Sequence, residues 1–134
     1  MELDLQNAQK FETLGQRDDA AVAALGETAD LHAQIRPERV QVRIIELASL
    51  LKAGLKDAGA TLVTPEDPVL SGGVVVIEIP KENQKTVADT LYTKFGIAAS
   101  TSGGLRLCPH IYNTRAHIQR AIDGVASMRE LIKV

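Results

Sequence analysis

The sequence has no tryptophan, only two phenylalanines and two tyrosines, and a single cysteine. Aromatics make up 3% of the chain. Nucleic-acid binding by base stacking needs aromatic platforms, so so few rings argue against it. One cysteine excludes an internal disulfide framework and any multi-cysteine metal site. No charge of one sign dominates: fifteen basic and seventeen acidic residues leave a net charge of −2, which is no phosphate-backbone footprint. No apolar run is long enough for a membrane span. The first residues, MELDLQNAQKFETLGQRDD, lack the basic, then apolar, then small order of a secretory leader, so the expected compartment is the cytoplasm.

What is present is a chain of 134 residues with 45% hydrophobic content, the size of one domain with an aliphatic core. Lys10–Thr13 reads as a short strand and Gly15 as a turn. From Asp18 the pattern becomes helical, with Val22, Leu25, Ala29 and Ala33 on one face. Pro37 closes that helix and suits the first turn of the next. Val40, Ile44, Leu47, Leu51 and Leu55 then mark the clearest stripe in the chain, with Arg39, Arg43, Glu46 and Lys52 away from it. Gly59 ends it.

Thr61–Thr64 reads as a short strand and PEDPVLSGG as a loop. GVVVIEIP, residues 73–80, is the strongest strand and is nearly apolar on both faces, which suggests a central place in a sheet. A helix is expected over 82–95, a short strand over 97–99 and another over 105–108. One last helix is expected from Thr114 to Ile132. The order α-α-β-β-α-β-β-α predicts an α+β fold: a small mixed or antiparallel sheet of three or four strands with helices packed on one face. The other face, or its edge, is then free to meet something else.

Arg106 is the sharpest feature. Alternation sends Leu105 and Leu107 one way and Arg106 and Cys108 the other. Two readings stand: an edge strand with one wet face, or an arginine facing a cleft where its planar fork grips a carboxylate. Cys108 is expected to be buried and inert, because a thiol nucleophile needs a base and Pro109 separates it from His110. His32 and His117 are far apart in sequence, and no H-x-x-x-H or C-x-x-C spacing exists, so no metal site is expected. Glu66 and Asp67 read as solvated loop carboxylates. The SGG turns at 71–73 and 102–104 match no phosphate-cradling pattern. No set of nucleophile, base and orienting group can be assembled from these residues.

Three stretches add a resemblance. FETLGQRDDAA (11–21), LVTPEDPVLSGGVVVIEIP (62–80) and LRLCPHIYNT (105–114) resemble the C-terminal part of class V pyridoxal-phosphate-dependent aminotransferases. That family includes the cysteine desulfurases and isopenicillin-N-epimerase-like proteins. The resemblance implies that Arg106 binds a substrate α-carboxylate in an active-site cleft, and that Asn113 or Thr114 caps the final helix. It places Gln16 where the family has a threonine that touches the cofactor phosphate of the neighbouring subunit, and so implies a homodimer or pairing with a large domain. Residues 1–17 become an arm at the end of the large domain, and 18–134 the small C-terminal domain.

The Schiff-base lysine, the aspartate partner of the pyridine nitrogen and the ring that stacks on the cofactor lie upstream of everything matched. None of the seven lysines sits in such a context. The resemblance therefore implies a fragment that binds no pyridoxal phosphate by itself and is catalytically silent alone. The catalytic cysteine of the desulfurases precedes the arginine strand, where this chain has only STSGG, so Cys108 is no persulfide carrier. The epimerase-like or aminotransferase-like branch fits better. The alternative is a non-catalytic binding or dimerisation domain that keeps the fold.

Overall fold

The computed structural model describes residues 18–133. The expected strand at Lys10–Thr13, the turn at Gly15 and the candidate phosphate ligand Gln16 lie outside the described residues. The chain divides into two compact units, Met1–Ile35 and Arg36–Val134.

In the first unit, α1 spans Asp19–Ile35. The Asp18 carboxylate accepts a hydrogen bond from the Ala21 N–H at 3.0 Å, which satisfies one of the free donors at the helix start. Val22 and Leu25 of the expected apolar face are exposed among the described residues, and α1 has no buried residue there.

The second unit holds the core. α2 (Pro37–Asp57) starts with proline at its first position, where a missing N–H costs nothing. Leu47, Leu51 and Leu55 of its stripe are fully buried. Each such side chain contributes roughly 1.5–3 kcal/mol of hydrophobic stabilisation. The chain then reverses and reaches the sheet at Leu62, which forms a single bridge to Ile77.

PEDPVLSGG is more than a loop. It contains one helical turn, α3 (Pro68–Ser71), with Asp67 accepting from the Val69 N–H at 2.9 Å. β1 (Val75–Ile77) follows, then α4 (Lys81–Phe95), which ends on left-handed Gly96. β2 (Leu105–Leu107) pairs antiparallel with β1: Val75 opposite Leu107, Val76 opposite Arg106, Ile77 opposite Leu105.

The sheet thus has two strands rather than three or four. The outer two of the four expected strands are reduced to single bridges, Leu62 to Ile77 and Ser100 to Arg106. Pro65 and the STSGG turn leave neither segment enough length for a ladder. β1 is one of two strands rather than the centre of a larger sheet, with β2 on one side and only the Leu62 bridge on the other.

The last helix is broken in two: α5 (Arg115–Ala126) and α6 (Arg129–Ile132). The Ser127 hydroxyl donates to the Gly124 carbonyl at 2.7 Å, a local bond that competes with the helical ladder. Met128 leaves helical geometry, and both it and Ile132 stay buried.

α2, α4 and α5 cover one face of the sheet. Val75, Ile77, Ile79, Leu105 and Leu107 are buried beneath them. The other face carries Val74, Glu78, Arg106 and Cys108, all exposed, and half-buried Val76. Helices on one face and an open second face match the expectation.

Candidate functional site

Arg106 stands at the middle of the open face, directly opposite Val76. Its backbone is held on both sides. The strand β1 lies to one side; on the other, the Arg106 N–H donates to the Ser100 carbonyl at 2.7 Å and its carbonyl accepts from the Ser100 N–H at 3.1 Å. β2 is the outer strand of the two-stranded sheet, with one wet face, and at Arg106 it gains a single bridge on its free side. A residue fixed by two neighbours presents its side chain in one direction. Among the described residues the guanidinium has no hydrogen-bond or ion-pair partner.

Cys108 is exposed, against the expectation of a buried thiol. The reason is parity: two residues beyond Arg106 in an extended chain, it faces the same way. The next residue, Pro109, is buried and has no N–H with which to extend the ladder. The chain then makes a tight turn. The His110 N–H donates to the Asn113 side-chain oxygen at 2.7 Å, and the Asn113 N–H donates to the His110 carbonyl at 2.9 Å. The rings of His110 and Tyr112 lie 4.8 Å apart. His110 Nδ1 is buried and has no partner among the described residues, so it forms no thiol–imidazole pair with Cys108.

Thr114, rather than Asn113, caps α5. Its hydroxyl accepts from the His117 N–H at 3.2 Å, while His117 Nδ1 accepts from the Thr114 N–H at 3.3 Å. A second anchor comes from α2. Arg43 donates to the Asn113 carbonyl at 3.0 Å and to Glu46 at 2.9 Å, and Glu46 also accepts from Arg115 at the start of α5. The Arg115 and Arg43 hydrogen bonds hold the Glu46 carboxyl below the ordinary glutamate value of 4.5. The loop that follows Arg106 is thus tied to two helices.

The other candidates lie elsewhere. His32 is on α1, and His117 serves the cap. Among the described residues no three metal-ligating side chains come together. The Glu66 carboxylate pairs with Lys56, and Asp67 caps α3.

Lys52, which lies away from the apolar stripe, is nonetheless only 4% exposed. Its ammonium donates to the Pro65 carbonyl at 3.0 Å, the Glu66 carbonyl at 2.9 Å and the Ser71 hydroxyl at 2.7 Å. Lysine has three donors, and all three are used. Nothing in the helical pattern marks this residue; the only sequence signal is a polar, proline-rich loop that needs an anchor.

No family model matches the chain. The chain is similar to isopenicillin N epimerase of Streptomyces clavuligerus, with 29% identity over 127 residues. The match takes in 90% of this chain but only 32% of the relative. The chain spans about a third of the length of the curated relative it matches, which makes it a partial relative of that enzyme.

Proposed function

We infer that this chain is the substrate-gripping, C-terminal part of a pyridoxal-phosphate enzyme of the class V aminotransferase type acting on an amino acid. Residues 1–17 would end the large domain and 18–134 would form the small one. The observation that carries the reading is Arg106: a guanidinium with no partner among the described residues, on a strand braced on both sides at this residue, on an open face, followed by an anchored Pro-His-x-Tyr-Asn-Thr turn. A fixed, planar donor fork suits a carboxylate bidentately and orients the amino acid that carries it. The partial similarity to an epimerase supports the same reading.

The described residues do not fit a covalently held pyridoxal phosphate. Lys52 is clamped to the 65–71 loop, and Lys56, Lys85 and Lys133 pair with Glu66, Asp89 and Glu130. Lys81 and Lys94 stand at the two ends of α4. None is on the strands or loops that frame Arg106. On this reading the cofactor's electron-sink chemistry would come from the rest of a longer protein.

The test begins with peptide mapping of the native polypeptide for sequence upstream of FETLGQRDD. In the enzyme so defined, Arg106→Gln should raise KM for amino acids about 10- to 100-fold, the loss of a charged hydrogen-bond pair of ~1.5–3 kcal/mol. An unchanged KM removes Arg106 from the site. A second reading, a binding or dimerisation domain without catalysis, rests on exposed Val63, Val69, Leu70 and Val74. It requires concentration-dependent self-association in analytical ultracentrifugation; a monomer at high concentration sinks it.

A further inference from the structure

A second site, whose wall does not include Arg106, lies beyond the end of β2. A cleft of about 330 Å³ opens between the Gly96–Ala98 segment, the end of β2 and the first turns of α5. Its volume is at the small end of ligand pockets, and Arg106 is not on its wall. The floor is aliphatic: Leu51, Leu107, Ile118 and Ala121 meet there, each nearly inaccessible from outside.

The rim has the opposite character: it carries Arg120, His117, Asn113 and the Tyr112 hydroxyl, and the first three offer donors. Arg120 reaches the cleft and has no ion-pair partner among the described residues. Nδ1 of His117 already accepts from the Thr114 N–H, so the neutral ring carries its proton on Nε2 and offers a donor. The side-chain oxygen of Asn113 is taken by the His110 N–H, which leaves its amide NH₂ to donate. Among the described residues no carboxylate lines the cleft. A cation would meet Arg120 with no acid to hold it. A polar anion would leave the aliphatic floor against water.

We propose that this cleft binds a small monocarboxylate with an aliphatic body, its carboxylate on Arg120 and the His117 Nε2–H, its chain on Leu107, Ile118 and Ala121. The site goes beyond the proposed substrate grip, because Arg106 is not on its wall and the carboxylate is held by Arg120 instead. Cys108, the chain's only thiol, is at its mouth and reports on occupancy.

The test uses the whole 134-residue chain, hexanoate as the probe and 1-hexanol as its uncharged analogue. Hexanoate should give saturable amide NMR shifts at Leu107, Ile118 and Ala121, with a Kd on the order of millimolar or below. It should also slow alkylation of Cys108 by iodoacetamide. Arg120→Gln should weaken the hexanoate-induced shifts at Leu107, Ile118 and Ala121 at least tenfold in Kd, while Arg106→Gln should leave those cleft shifts unchanged. Equal binding of 1-hexanol, no saturation, or loss with Arg106→Gln but not Arg120→Gln would overturn the proposal. Because the two arginines are tested separately, failure here leaves the reading of Arg106 standing, and the reverse.

Discussion

The Lys52 ammonium on α2 lies 2.7 Å from the Ser71 hydroxyl at the end of α3, and this pair closes the loop between them. The same ammonium takes two loop carbonyls, so one buried cation satisfies a segment that has almost no ladder bonds of its own. Lys52→Met keeps most of the stem's volume but removes all three bonds. We expect a loss of about 2–3 kcal/mol, read as a lower urea midpoint with an unchanged slope. Ser71→Ala should cost about 1 kcal/mol, and the double variant less than the sum. Additive losses would show that the pair does not act as a unit.

Glu46 makes the fold acid-sensitive in one direction. Arg115 and Arg43 hold its carboxyl below 4.5 in the folded chain, whereas the unfolded chain releases them. Between the folded value and 4.5 the unfolded state binds more protons, so stability rises with pH there. The contribution is complete above 4.5 and disappears as pH falls through the folded value. Urea unfolding across the acid range should show a shallower fall for Glu46→Gln than for the parent. Some slope will persist, because Lys133 lowers Glu130 in the same sense. Salt should flatten the parent curve toward the variant, since these groups are partly exposed. Identical slopes for the two proteins would contradict the network.

Thr114 tests the cap behind the arginine loop. Thr114→Ala removes the acceptor for the His117 N–H and should cost about 1 kcal/mol, while Thr114→Ser should be close to neutral. Asn113→Ala should leave the cap intact yet loosen the turn that accepts from His110. Hydrogen exchange separates the two: faster exchange at His117 in the first variant, at His110 in the second. Loss of the cap in both would reassign it.

Much of this was legible before any coordinates. The stripe from Val40 to Leu55, bounded by Pro37 and Gly59, gave α2 nearly to the residue because its period leaves no other packing. The apolar run at 73–80 marked the strand β1, though the sheet it joins has only one other strand. The α5–α6 break was hidden because a side chain, not the apolar period, interrupts the helix: Ile118, Val125 and Ile132 stay in register across Ser127. Cys108 was readable from alternation with Arg106, but the habit of burying cysteines outweighed it. Lys52 was not readable, since its acceptors are backbone carbonyls of a distant loop. For Arg106, the sequence supplied the residue and its face, and only the pairing with Ser100 showed that the strand is held on both sides.

Gly104 is where fold and candidate site meet. It is buried just before β2, with φ +125, a conformation that side chains rarely adopt. A Cβ there would strike the Ile77 carbonyl oxygen and come within 3.2 Å of Val76 Cγ1. Backbone cannot step aside as the end of a flexible side chain can. Gly104→Ala should therefore cost about 3 kcal/mol or more, combining backbone strain with overpacking. Gly103→Ala, at φ +76 but with open space around it, should pay strain alone, about 1 kcal/mol. If β2 escapes the clash by slipping one residue, Arg106 turns to the helical face and Leu107 to solvent. Folded Gly104→Ala protein would then show altered amide shifts at Val76 and Ser100, the two partners of Arg106, beyond any loss in melting temperature. A variant with parental stability and parental shifts at both would mean that Gly104 does not set the register of the arginine strand.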